Sequence, residues 1–222
     1  MWLEVVVRHI AVIDPGTRVP ELDCFNRLAR ACSLPLTYHL PALCGVDSLV
    51  RSSDELAGVV ILGSGASVHD GEPWQEALDA WLLPRVEAAV PVLGLCYGHQ
   101  HLADRLGGEV DWLFEDRHKL KGLRTVSLDP DPLWGGSCSG PLVVSHSQVV
   151  TRLPEGFVVR GRTPGVGIEA FSHPSRPIWG FQAHPEATVA FTRNNDVPFE
   201  EDPSLLEFGH GLVDAFLARA SR

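Results

Sequence analysis

The stretch Gly94-Leu95-Cys96-Tyr97-Gly98-His99-Gln100 carries the residues best placed for chemistry. It continues the apolar run Val92-Leu93-Gly94-Leu95, which reads as a buried strand, and leads into a helical pattern that ends at Leu106-Gly107-Gly108. A nucleophile between small residues at a sharp strand-to-helix turn stands exposed above a sheet, because glycines on either side let neighbouring backbone pass close by. The helix that follows aims its N-terminal N–H groups and positive dipole end at the sulfur, which favours the thiolate. A free cysteine is more often a small buried hydrophobe, but burial alone does not call for glycine two residues before and two after. Cys96 is therefore the expected nucleophile. A thiol nucleophile needs a base, and the base needs a group that fixes its tautomer. Ten histidines compete. His184 stands out because it leaves the end of the apolar strand Ile178 to Phe181 in Phe181-Gln182-Ala183-His184-Pro185-Glu186, with a carboxylate two residues on. His-Pro-Glu alone is commonplace. Joined to the cysteine turn, it completes a Cys96-His184-Glu186 set.

Other chemistries find less support. His99 and His101 are two apart on a helix and point to different faces, and no third ligand lies nearby in sequence, so neither a metal site nor a cofactor is expected. Gly63-Ser64-Gly65 lacks the Gly-Lys-Ser/Thr of a phosphate loop. Cys24 and Cys32 are spaced for one helical face and are expected in the core. The segment from Trp134 to Gly140 reads as a flexible loop over or near the site, with Cys138 incidental to it. The chain of 222 residues carries 18 Lys+Arg against 28 Asp+Glu, a formal charge of −10. Without a basic cluster, nucleic acid is not an expected partner. The opening MWLEVVVRHI is broken by Glu4 and Arg8, and no stretch reaches the roughly 18 apolar residues of a membrane span. Five cysteines without a CxxC pair and no export signal point to reduced thiols and a cytoplasmic protein.

The elements that must position these residues follow from apolar periodicity. A first strand is expected from Val5 to Ile13, stopped by Asp14-Pro15-Gly16. Leu22, Phe25, Leu28, Ala29 and Cys32 recur at helical spacing, and Leu34 to Leu40 reads as a second strand. Val59 to Leu62 is a run for a strand covered on both faces, and Leu78, Trp81, Leu82 and Val86 mark a helix before the strand that leads to Cys96. This alternation predicts an α/β fold, an open and mostly parallel sheet with helices on both faces. After Gly108 the rhythm changes. Short strands at 123 to 128, 142 to 145, 157 to 160 and 178 to 183 are expected to add antiparallel to the sheet, 186 to 203 to form a loop, and Leu205 to Leu217 to lie on a last amphipathic helix. No composition break divides the chain, so residues 1–222 are read as one domain.

The quoted motifs together resemble the class I (triad) glutamine amidotransferases. Gly94, Cys96, Gly98 and Gln100 match the family's G-x-C-x-G-x-Q, and His184, Pro185 and Glu186 its H-P-E. The likeness extends to stand-alone domains similar to the amidotransferase domain of GMP synthetase, through Gly63-Ser64-Gly65-Ala66-Ser67-Val68 and Pro73-Trp74. Ser64 there replaces a second glycine, and Gly65 a proline. The resemblance implies a flavodoxin-like fold, L-glutamine or another γ-glutamyl compound as substrate, and a thioester on Cys96. It further implies an oxyanion hole from the backbone N–H groups of Ser64 and Tyr97, and glutamine binding by Gly63, Gln100, Ser145, His146 and Ser147. His146 also reads as a plain hydrogen-bonded loop residue. Ser147 and Gln148 stand where relatives have Gly-Asp, which bears on coupling to a synthetase or acceptor subunit on a separate chain. Two other functions fit the same residues: a self-contained γ-glutamyl peptide or conjugate hydrolase, and a catalytically quiet interaction domain. The second is discounted because all three triad positions and Gln100 are present.

Overall fold

The computed structural model describes residues 7–222. Strand β1 (His9–Ile13) is buried at every position. Val5 and Val6, the expected start of this strand, lie outside the described residues. There follow α1 (Leu22–Ala31), β2 (Leu36–His39), the short helices α2 (Pro41–Cys44) and α3 (Asp47–Arg51), β3 (Leu56–Ile61), α4 (Pro73–Glu87), β4 (Val92–Leu95) and α5 (Tyr97–Arg105). Strands β5 (Glu109–Trp112), β6 (Leu120–Leu128), β7 (Cys138–His146), β8 (Gln148–Arg152), β9 (Val158–Thr163), β10 (Val166–Ser172) and β11 (Ile178–Phe181) come next. Helix α6 (Val189–Asn194), a 3-10 turn at Pro203–Leu206 and α7 (Glu207–Ala220) close the chain.

Nine strands form one sheet in the order β2-β1-β3-β4-β11-β10-β9-β6-β7, and β5 and β8 pair apart from it. The first five in that order are parallel to one another. From β11 onward the pairing is antiparallel. Strand side chains alternate between faces, and each face has its own core. Ile10, Val12, Val60, Leu93 and Leu95 pack with Leu28 of α1 and Val213 and Phe216 of α7. Ala11, Ile13, Val59, Ile61 and Val92 pack with Leu78, Trp81 and Leu82 of α4 and with Tyr97 and Leu102 of α5. Full burial of each such aliphatic side chain contributes about 1.5–3 kcal/mol. Helices thus cover both faces of the parallel half, as the apolar runs of its strands require.

Two expectations are corrected. The segment 134 to 140 is not a flexible loop at the site: Asp131 and Gly135 exchange backbone hydrogen bonds of 2.9 and 2.7 Å, and Cys138 to Gly140 belong to β7. The Trp134 ring lies 5.6 Å from that of Phe181 and its Nε1 donates to the Asp129 carbonyl, so the turn is folded onto one core. The loop expected over 186 to 203 contains α6, whose N-terminus is capped by the Thr188 hydroxyl accepting from Phe191 N at 3.1 Å. A six-residue helix gives too few turns for apolar periodicity to register, and Asn194-Asn195-Asp196 reads as a turn.

Candidate active site

The C-terminal ends of β3, β4 and β11 converge on one point. Cys96 follows β4 directly and caps α5, with φ +50° and ψ −97°, a conformation unfavourable for a side chain. Its backbone N–H donates to Phe181 O at 2.8 Å, tying the turn to the end of β11. The flanking glycines are steric necessities. A Cβ on Gly94 would lie 2.4 Å from the Gly98 carbonyl, and one on Gly98 would lie 2.4 Å from Ile61 O.

His184 emerges from β11 and is held by its N–H on Val143 O at 2.8 Å. Its Nδ1 meets Glu186 Oε1 at 3.0 Å, and its ring lies against Phe191 with centroids 4.6 Å apart. Cys96 lies on another side of the ring, close enough for its charge to act on the imidazole. All three side chains are buried: Cys96 is 4% exposed, His184 5% and Glu186 1%. Burial by itself pushes the imidazole pKa down, but the charges of Cys96 and Glu186, with their hydrogen bonds, together carry it up to about 10. Gly63, at the end of β3, closes the third side. A Cβ there would come within 2.5 Å of His184 Cε1 and 3.5 Å of Cys96 Cβ.

The remaining expected site residues gather around the same point. Tyr97 N–H belongs to the first turn of α5, where backbone donors have no intrahelical acceptor. Ser64 is not among the residues with positive φ, so serine fits where the resembled family has glycine. The Ser64 hydroxyl is turned away, donating to Pro15 O at 2.7 Å and accepting from Ala66 N at 3.0 Å. Ser64, Cys96, Gln100, Ser145, His146 and Ser147 all line a small cavity of about 70 Å³. Gln100 Nε2 donates to Gln148 O at 2.8 Å and Gln182 Oε1 at 3.2 Å. His146 ends β7 rather than standing in a loop. It lines the cavity, and its Nδ1 donates to Gln148 O at 3.1 Å, while burial pushes its pKa down to about 4 and keeps the ring neutral.

His99 and His101 do separate onto different faces. His99 is fully buried and stacks on Phe171, and burial pushes its pKa down to about 3. His101 Nε2 pairs with Asp79 at 2.8 Å, and its Nδ1 meets the Tyr97 hydroxyl at 3.3 Å, which also accepts from Gln75 Nε2 at 3.0 Å. Among the described residues no three His, Cys, Asp or Glu side chains are grouped to hold a metal ion. Cys24 is fully buried against Val143 and Phe191, whereas Cys32 is half-buried beside the other core, so the two do not share one.

Sequence reasoning passed over two contributors. Gln182 is fully buried, and its Nε2 lies 3.9 Å from the Cys96 sulfur while its Oε1 accepts from Gln100. Its position two residues before His184 was the available signal, since alternate residues of an extended chain share a side. Phe191 backs the imidazole from α6, an element that the apolar pattern did not reveal.

A family model described as glutamine amidotransferase class-I matches residues 46–199. The chain belongs to the class I glutamine amidotransferase family. Among curated relatives of this amidotransferase, a GMP synthase (glutamine-hydrolyzing) of Parafrankia sp. is 37% identical over 192 residues, covering 85% of the chain and 33% of the relative. A GMP synthase (glutamine-hydrolyzing) of Thermosynechococcus vestitus is 32% identical over 191 residues, 83% of the chain and 34% of the relative. The chain thus spans about a third of the length of these relatives. Solved structures share the fold. A glutamine amidotransferase from Methylobacillus flagellatus superposes with a TM-score of 0.73 at 20% identity, covering 97% of this chain and 94% of that one. One from Thermotoga maritima gives 0.74 at 17% identity, covering 96% and 98%. The mixed sheet, parallel from β2 to β11 and lying between two helical layers, is therefore the flavodoxin-like arrangement that the resemblance implied. Among the described residues, no helix is long and apolar enough to cross a membrane.

Proposed function

We propose that this amidotransferase hydrolyses a γ-glutamyl amide, with L-glutamine as the reference substrate, through Cys96, His184 and Glu186. The supporting observation is that His184 Nδ1 sits on Glu186 at 3.0 Å while the same ring and Cys96 both border the space beside Gly63. The Cys96 thiolate attacks the δ-carboxamide carbon to form a C–S bond. The His184 imidazolium then gives its proton to the departing nitrogen as the C–N bond breaks, and ammonia leaves. Water adds to the γ-glutamyl thioester, losing a proton to His184, and breaking the C–S bond returns the thiolate and glutamate. The tetrahedral oxyanion is held by the backbone N–H groups of Tyr97 and Ser64, which need no reorganisation as charge develops. Gln100, with the Ser145-His146-Ser147 backbone, holds the amino-acid end, while Gly63 lies beside the imidazole. Glu186 holds the ring and stabilises its charge.

The test is release of ammonia and glutamate from L-glutamine or another γ-glutamyl amide by the purified protein beside Cys96→Ala. Turnover unchanged by that substitution overturns the reading. Where ammonia is transferred rather than released, a synthetase subunit must supply the acceptor site. The Ser147-Gln148 pair then makes its coupling differ from that of relatives with Gly-Asp.

Glu186→Gln is expected to lower kcat by less than Cys96→Ala does, since nucleophile and base remain. It also removes one of the charges that raise the His184 pKa. A histidine whose folded pKa lies above its unfolded 6.5 contributes stability that is complete below pH 6.5 and lost as pH rises through the folded value, here about 10. The variant should therefore lose that contribution at a lower pH, and the alkaline limb of its kcat/KM profile should move down with it. Urea unfolding and rate profiles between pH 6 and 10.5 measure both. An unmoved alkaline limb would detach Glu186 from the titration of His184.

A further inference from the structure

The small cavity has a larger neighbour. A second cavity of about 460 Å³ opens on the other side of Ser64, Gly65, Lys119 and Ser145, which line both. The small one is lined by Cys96 and Gln100 but not by His184, and the large one by His184 but not by Cys96. A scissile bond attacked by Cys96 and protonated by His184 spans that boundary. Its acyl part then sits with Cys96 and its leaving nitrogen on the side of His184. Ammonia is the size of a water molecule, which needs only about 10–15 Å³ of such space. The cavity facing the leaving group falls instead in the 300–1,000 Å³ range of small-ligand clefts.

Its lining also has a charge pattern that ammonia does not require. Arg18 and Lys121 line the large cavity alone, and Lys119 stands at the boundary. Lys121 is half-buried and donates to Asn195 O at 2.7 Å, which fixes its ammonium at the wall. Among the described residues, Arg18 and Lys119 make no ion pair or side-chain hydrogen bond and are exposed to the cavity mouth. Facing these three cations are Glu21, occupied by Asn195 Nδ2 at 2.8 Å, and Asp196. Three cations against two carboxylates thus line this cavity in a chain whose formal charge is −10.

We propose that the preferred substrate is a γ-glutamyl peptide, whose leaving amine is an α-amino acid or short peptide with its carboxylate on Arg18 and Lys121. This rests on the Cys96 mechanism above and specifies its substrate class. The balance is unchanged: the His184 proton goes to the amino nitrogen of the departing amino acid, and water later releases glutamate from the thioester.

Three compounds test the proposal with the full chain: γ-L-glutamyl-glycine, γ-L-glutamyl-glycinamide, which lacks the negative charge, and L-glutamine. The dipeptide is expected to show a kcat/KM at least about tenfold above both others, the scale of one charge-assisted hydrogen bond. Arg18→Glu should collapse the ratio of glycine to glycinamide towards one. Cys96-dependent turnover with glutamine equal to or better than the dipeptide overturns the proposal and leaves the triad standing. Equal rates for glycine and glycinamide overturn the carboxylate assignment. Turnover of all three that survives Cys96→Ala overturns the mechanism itself, and silence on all three overturns the proposal in favour of ammonia delivery to a second polypeptide.

Discussion

Replacing Cys96 by alanine is expected to abolish turnover of γ-glutamyl amides, by about four orders of magnitude or more, the scale seen when a covalent nucleophile is removed from a coupled triad. The circular dichroism spectrum should not change, because the thiol packs at a strand end without holding any element in place. A companion variant separates chemistry from strain. Cys96 sits at φ +50°, ψ −97°, a region that glycine enters freely and alanine does not. Cys96→Gly should be as inactive as Cys96→Ala yet melt at a higher temperature, since relief of about 1–3 kcal/mol of backbone strain exceeds the entropic cost of a new glycine, about 0.4–1 kcal/mol. Equal melting temperatures would show that the turn is held without strain. Measurable activity in either variant would remove Cys96 from the mechanism.

The second large effect is expected at a residue with no side chain. Gly63→Ala would put a methyl carbon 2.5 Å from His184 Cε1 and 3.3 Å from Nδ1. The ring has little room to retreat, with Glu186 on Nδ1 at 3.0 Å and Phe191 against its face. Moving the imidazole by about 1 Å costs on the order of a hundredfold in rate, and kcat/KM should fall by that much while Cys96 remains open to alkylation by iodoacetamide. Gly211→Ala, on the exposed side of α7 with open space around it, is the control and should change neither. Full activity in Gly63→Ala would mean that the imidazole can shift without loss, and that the close approach is incidental.

Much of the parallel half was legible because its strands are covered on both faces and so announce themselves as unbroken apolar runs, as Val59 to Leu62 and Val92 to Leu95 do. The antiparallel half was read only in part. β10 escaped because Gly167 interrupts it and Glu169 lies in its middle, and a carboxylate in a strand normally signals solvent. Here Glu169 is buried, with the Thr163 hydroxyl donating at 2.5 Å and Arg124 at 3.4 Å. β5 and β8 pair outside the main sheet, with three of the four residues of β5 and the last two of β8 open to water, so neither shows a full core pattern. At the site, Cys96, His184 and Glu186 were legible from local spacing. Gln182, Phe191 and the larger cavity were not, because they depend on which distant segments the sheet brings together.

β11 is the seam between the two halves, parallel to β4 on one side and antiparallel to β10 on the other. It is also the last of the eleven described strands in chain order. A chain growing on the ribosome therefore carries the Cys96 sulfur through the making of β5 to β10 without the His184 imidazole beside it, because Val92 to Leu95 must wait for Ile178 to Phe181 to arrive. Closing that long loop is the slow, non-local kind of contact. On the proposed mechanism, a molecule in which β11 has not yet joined β4 turns over no substrate, and the appearance of activity marks that pairing.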